Sequence, residues 1–327
     1  TAIAINMHYS VSRIIAELWR RAKREGDEPG AARNEMLLRG IGAGQIVICA
    51  TATERGTDFL RPITTALKTE AGWAINGQKI FVTLSPVATL FVMNLRVQDP
   101  AGDKLAFAYV PAGTPGLEPQ DDWDALGMRA SGSQSVKLAD CNVPEGSVQI
   151  AGDWGKWNAT LLMNRTLGNI ALCGAFLGVA ERARELAVAS AQSQSKPKFG
   201  GPIGGSSGIQ HLVGQIDIAL AASRAILAET TKNLDAFLEA RAGESPAIEE
   251  AHACMRDYQC AKWIVNQNAI QIVSWAMDVA GGGAFMQRNE LSRLYRDVRA
   301  GPFMQPFAPN EAHEYVGRVA LGLYPEG

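Results

Sequence analysis

A change of hydrophobic period near residue 157 divides the chain into two textures that no single secondary-structure class accommodates. Over residues 46–150, apolar runs of strand length alternate with turn residues. Ile46-Val47-Ile48-Cys49-Ala50 is a compact apolar run. Trp73-Ala74-Ile75-Asn76-Gly77 ends on an Asn-Gly pair of the kind that closes tight hairpins, and Lys79-Ile80-Phe81-Val82-Thr83 reads as its return strand. Residues 90–97 and 105–110 also have strand length and β-branched or aromatic content, with Pro, Gly and Asp punctuating 99–103 and 111–119. This spacing suits a small barrel or sandwich. Downstream, Ile209, Leu212, Val213, Ile216 and Leu220 keep the spacing of one buried helix face. Residues 161–191 and 248–280 are further long helical candidates, bounded by breaks at 193–208 and 242–246. Long helices joined by short or Gly-rich loops predict an antiparallel bundle.

Ahead of the β-region, Ile3, Ile5, Met7, Val11, Ile14 and Leu18 mark a helix, followed by a polar break at 24–32 and an amphipathic run over 34–42. The first residues lack the basic flank and cleavage site of a signal peptide, so the chain is expected to begin partway through a domain. The expected architecture is α+β and multidomain. It has a partial N-terminal helical domain (1–45), a central antiparallel β-barrel or sandwich (46–150) and a C-terminal four-helix bundle (151–327).

Composition excludes several function classes. With 31 basic and 33 acidic residues, no global excess of charge favours nucleic acid or an anionic membrane. No run of about 18 uncharged apolar residues predicts a membrane span. Five cysteines with no CxxC pair read as free thiols in a reducing, cytoplasmic setting. Four histidines, none at ligand spacing with another His or Cys, predict no metal centre. The Gly-rich stretch at 199–208 lacks the GxxxxGK[ST] phosphate cradle and reads as an inter-helix loop.

Several motifs in order carry a resemblance to the acyl-CoA dehydrogenase family, spanning about residues 40–321. Ala52-Thr53-Glu54-Arg55-Gly56-Thr57-Asp58 is similar to the family's TEPGAGSD, shortened by two residues. Ile75 to Thr83 is similar to INGxKxWIT, and the WDALGMRASGS stretch with Cys141-Asn142-Val143-Pro144 to GxRxS…VP. Lys198-Phe199-Gly200 with Gln210 resembles RxxFGxxxxxxQ, and Gly281 to Phe285 with Arg296-Asp297 resembles GGxGF…RD. The resemblance implies an FAD-dependent oxidoreductase that desaturates an acyl-CoA in lipid metabolism. Electrons would leave to a flavoprotein or oxygen, and the FAD would be shared between subunits of a homo-dimer or homo-tetramer. By resemblance Phe81 is the aromatic wall of the isoalloxazine, where the family usually has Trp. Val82 and Thr83 supply main-chain and hydroxyl hydrogen bonds, and Thr53 and Thr57 hydroxyl contacts. Lys196, Phe199, Gln210, Gly281 and Gly282 serve the adenosine half.

Desaturation also needs a carboxylate base near the α-carbon. The resemblance puts the usual base position on Gln305, and the alternative one, on the first bundle helix, near Gly168. Neither is a carboxylate. Three readings stay open: a displaced base at Glu311, with Glu314 next; an inactive subunit of a heteromeric dehydrogenase; or the fold's monooxygenase branch. That branch needs no α-proton base, and His313 is then the candidate proton donor.

Overall fold

The computed structural model describes residues 2–197, 200–241 and 243–327. They fall into two compact units, one of residues 1–124, 129–168 and 325–327, the other of 125–128 and 169–324.

The first unit combines two helices with a sheet. Helix α1 (Ala2–Glu25) and α2 (Glu28–Gly42) are separated by only two residues. The polar break expected at 24–32 is therefore a short corner. Asp27 caps α2 by accepting from the Gly30 amide at 3.0 Å, with Pro29 in the first turn, so the polar residues start a helix here. Val11 and Ile15 of α1 pack with Ile48, Leu90 and Val92, and the His8 Nδ1 accepts from the Ile48 amide at 3.0 Å.

The strands are β1 (Ile48–Thr51), β2 (Thr65–Thr69), β3 (Gly72–Val82), β4 (Leu90–Val97), β5 (Lys104–Pro111), β6 (Leu117–Pro119), β7 (Gln134–Val143) and β8 (Val148–Asp153). They form one eight-stranded sheet in the order β6-β7-β3-β2-β4-β5-β8, with β1 also on β4. The sheet is mixed and does not close into a barrel: β1 and β2 both run parallel to β4, which corrects the antiparallel expectation. Apolar runs of strand length carry no signal for direction, which the long connections around β4 decide. Its main core gathers Ile75, Val82, Phe91, Met93, Leu95, Val136 and Leu138.

The Asn76-Gly77 hairpin is also corrected. Strand β3 runs straight through the pair, and the reversal from β2 occurs at Glu70-Ala71. Asn-Gly marks a bulge here: the β3–β7 register shifts between Ile75 and Gly77, and Gly77 has φ +152. A Cβ on Gly77 would lie 2.4 Å from the Thr64 hydroxyl, so only glycine fits against β2's approach.

The second unit is helical. Its long helices are α3 (Ala159–Ser193), which begins in the first unit, α4 (Ser207–Ala240) and α5 (Ile248–Ala280), followed by α6 (Glu290–Val298) and α7 (Pro309–Ala320). Helix α5 buries residues along its whole length and packs against α4, α6 and α7. Ion pairs tie α3 to α4 at Arg184–Asp217 and at Arg224–Glu181. Helix α4 is apolar and long enough to cross a membrane by length and composition, yet its Asp217 and Arg224 are spent on α3. Between α3 and α4, β9 (Ser195–Lys196) and β10 (Gly201–Pro202) form a small ribbon. The five cysteines are free thiols, Cys49, Cys141 and Cys173 among them buried.

Candidate functional site

Successive side chains of a strand point to opposite faces, so Lys79 and Phe81 would share a face in a regular β3. They do not. Lys79 and Val82 are both fully buried, and the register against β7 breaks between them. The extra residue is thrown outward: Phe81 takes φ +56 and is 58% exposed. A bulky side chain in that region carries a strain of about 1–3 kcal/mol, of the kind that persists at functional sites. The Trp123 ring stands edge-on to Phe81, with centroids 6.1 Å apart.

Beside this aromatic wall lies a chain of hydroxyls. Thr83 Oγ1 and Ser133 Oγ are 2.9 Å apart, and Ser133 Oγ and Ser131 Oγ 2.6 Å. The Leu84 amide donates to the Ser131 carbonyl at 3.0 Å, which locks the two segments together. Ser131 and Ser133 are buried and Thr83 is half-buried, so the chain reaches from the interior to the surface at Thr83. Val82 sits in the ladder opposite Gln134 with its side chain in the core, leaving only its main chain for any ligand.

The loop before β2 is fastened to the same edge. The Ile80 amide donates to the Thr53 carbonyl at 2.9 Å. The Thr57 hydroxyl is turned back to the Arg61 carbonyl and closes the loop on itself. Between them Glu54 is buried against Lys79 at 2.5 Å, and also accepts from the amides of Ile63 at 2.5 Å and Thr64 at 3.1 Å. Lys79 donates in addition to Asn94 Oδ1 at 2.8 Å, and Asn94 donates to the Phe59 carbonyl at 2.7 Å. Burial pushes the Glu54 carboxyl up, but the Lys79 charge and the donors around it prevail and hold it below its ordinary value.

The second unit holds the glycine turn. Gly281 ends α5 at φ +73, where its amide donates to the Met277 carbonyl at 2.8 Å. Cβ atoms on Gly281 or Gly282 would meet nothing, so the turn is open to a ligand. A cleft of about 550 Å³ beside it is lined by Ser274, Asp278, Phe285, Tyr295 and Arg296, within the range of small-molecule sites. Lys196 is exposed on β9, and Gln210 is committed to the Gly204 carbonyl at 3.0 Å. Phe199 lies outside the described residues. The two later motifs meet directly, because the Met128 amide donates to Asp297 at 2.6 Å. A Cβ on Gly127 would lie 2.3 Å from the Arg296 carbonyl oxygen, which explains the glycine of the first motif.

At the base position, Gln305 is half-buried, and its carbonyl accepts from the Tyr258 hydroxyl at 3.0 Å. Lys262 clasps the same segment through the carbonyls of Met304 and Phe307. In the first unit a Cβ on Gly168 would lie 3.2 Å from Ser10 Cβ, and the Gly168 carbonyl accepts from Asn6 at 3.2 Å. Glu311 covers the start of α7, its carboxylate accepting from the Ala308 amide at 2.8 Å. That places its carboxylate in a structural role. His313 is exposed and its ring lies 4.0 Å from that of Trp263. Sequence reasoning missed Ser131, Ser133 and Trp123 as site residues. The GxRxS-like motif contains the two serines but gives no sign that they bond to Thr83.

In the first unit, a strained, exposed aromatic beside hydroxyls suits a flat ring such as a flavin; in the second, an open glycine turn lies beside a cleft of small-molecule size. Similarity to known proteins gives the class, a flavin oxidoreductase. Residues 48–141 match the acyl-CoA dehydrogenase middle domain and residues 159–305 the acyl-CoA dehydrogenase C-terminal domain. The amino sugar nitrososynthase DnmZ of Streptomyces peucetius is 32% identical over 98% of this chain and 75% of its own length. The amino sugar nitrososynthase RubN8 of Streptomyces rubradiris is 34% identical over 99% of this chain and 73% of its own. The X-ray structure of KijD3 with FMN and dTDP-3-amino-2,3,6-trideoxy-4-keto-3-methyl-D-glucose superposes with a TM-score of 0.89 at 33% identity, covering 99% of this chain and 76% of that one. The chain belongs to the acyl-CoA dehydrogenase family.

Proposed function

We propose that this chain is a flavin-dependent amine oxygenase that carries the amino group of a nucleotide-linked amino sugar to the nitroso level. The observation that carries this reading is the pair of residues at the two base positions. Gln305 has an amide where α-proton abstraction needs a carboxylate, and Gly168 is packed against Ser10 with little room for a side chain. Similarity to nitrososynthases over nearly the whole chain supports the same reading, amino sugars being the class in those relatives' names.

Beside Phe81 and the Thr83–Ser133–Ser131 hydroxyls, a reduced flavin would supply the two electrons per turnover that an oxygenation needs. The overall reaction balances as two oxygenations: amine, dioxygen, two electrons and two protons would give hydroxylamine and one water, and hydroxylamine with the same co-reactants would give the nitroso compound and two waters. The chain's own residues bind and orient. Phe81 offers a flat apolar face, and the Thr83–Ser133–Ser131 hydroxyls offer donors and acceptors at its edge that can hold or pass a proton. Trp123 backs Phe81 and helps keep water from the wall. The reading thus replaces acyl-CoA desaturation and its place in lipid metabolism with nitrogen oxidation, and the electron acceptor becomes dioxygen.

The test uses externally reduced flavin, dioxygen and a dTDP-linked 3-amino sugar, with products followed by mass spectrometry under isotopically labelled dioxygen. Labelled hydroxylamine and then nitroso product are expected. Anaerobic bleaching of bound flavin by an acyl-CoA, with no labelled product, would overturn the reading in favour of dehydrogenation.

A further inference from the structure

We infer that the buried Glu54–Lys79 pair is a positioning element for flavin, setting the distance between the loop that carries Thr53 and Thr57 and the bulge that carries Phe81. The inference rests on the flavin reading of this edge.

The pair joins two motifs that the sequence presents separately. Glu54 and Lys79 are 25 residues apart, with side chains 4% and 0% exposed. Neither side chain reaches the outer face where Phe81 stands, so neither touches a ligand held there. What they determine is geometry. Glu54 gathers Lys79 from β3 and the amides of Ile63 and Thr64 from the approach to β2. Lys79 reaches Asn94 on β4, and Asn94 returns to the Phe59 carbonyl in the loop. The loop over residues 53–64 is thus closed on itself and tied to β3 and β4 from beneath, immediately before the residues that bulge.

Fold stability alone does not account for the pair. Replacing a buried ion pair by apolar or neutral groups of similar volume is often neutral or stabilising, because desolvating two charges offsets their attraction. A pair retained for stability would therefore be replaceable without consequence. A pair retained for position would not, since three donors converging on one accepting carboxylate fix direction and distance in a way that apolar packing does not.

The discriminating variant is Glu54→Gln/Lys79→Met, which removes both charges and keeps both volumes. Affinity is read by titrating FMN and FAD and following flavin fluorescence, and stability by thermal unfolding of the same samples. The double variant is expected to unfold close to the parent and to bind flavin about tenfold more weakly, a loss of about 1.4 kcal/mol. A double variant that binds flavin like the parent overturns the inference and leaves the flavin reading intact. A parent that binds neither flavin overturns both. Should the double variant fail to fold, Glu54→Asp keeps the charge and shortens the tether by one methylene. It is expected to weaken flavin binding as well, and parental affinity in that variant would overturn the inference. In the parent, flavin should slow hydrogen exchange of the Ile63 and Thr64 amides, and unchanged exchange counts against it.

Discussion

Asp297 accepts a hydrogen bond from the Met128 amide at 2.6 Å, joining stretches of chain 169 residues apart. The contact needs Gly127, whose missing side chain lets the backbone rest on Arg296. Gly127→Ala is expected to destabilise by about 2 kcal/mol or more, since a Cβ there overlaps backbone that cannot swing away. Asp297→Ala should cost about 1–3 kcal/mol by removing a charged acceptor from a half-buried amide. Chemical denaturation of each variant against the parent checks both values.

Phe81 combines exposure with a strained backbone, so its removal should separate stability from binding. Phe81→Gly relieves the φ of +56 and loses little buried surface. Its stability should stay within about 1 kcal/mol of the parent, because relief of strain is offset by glycine's greater freedom in the unfolded chain. Flavin affinity should fall by about tenfold or more. Calorimetry and flavin titration on one preparation give both numbers. A fall in stability without a fall in affinity would remove Phe81 from the site.

Glu54 sets an acid limit on the fold. Its carboxyl is held below the ordinary value in the folded chain, so the folded state binds fewer protons there than the unfolded state. The stabilising contribution is fully present above the ordinary carboxylate pKa and is lost as pH falls through the lowered folded value. Thermal unfolding from neutrality down through the carboxylate range should show a steeper loss in the parent than in Glu54→Gln. Parallel curves would mean that Glu54 does not contribute.

Glu311 caps α7 in this structure. Glu311→Ala should therefore cost about 0.5–1 kcal/mol of stability and leave turnover with the amino-sugar substrate close to parental. Abolition of turnover with unchanged unfolding would restore Glu311 as a proton-transfer group.

The helices were legible because long segments with one apolar face repeat the same signal many times. Residues 209–220 alone announce α4. Strand positions were legible for β4 and β5 for the same reason, but strand direction was not, since β1 and β2 lie parallel to β4 through connections that leave no mark on their apolar runs. Asn76-Gly77 misled because glycine's freedom serves a bulge as well as a turn, and Thr64, which decides between them, is distant in sequence. At the site, Phe81 and Thr83 stood in one recognisable motif. Ser133, 50 residues from Thr83, and Glu54, 25 from Lys79, acquire their meaning only once the chain has folded.

The interval from Lys79 to Val82 has a consequence for how this site can vary. Both ends are anchored inward, and the outward turn of Phe81 follows from one residue more than a regular strand would place between them. The spacer's length, rather than its chemistry, is what presents the ring. Exchange of Phe81 for another aromatic is therefore a small step, open to gradual substitution. Deletion of one residue from this interval would instead return the strand to simple alternation and abolish the bulge that presents the ring at a stroke.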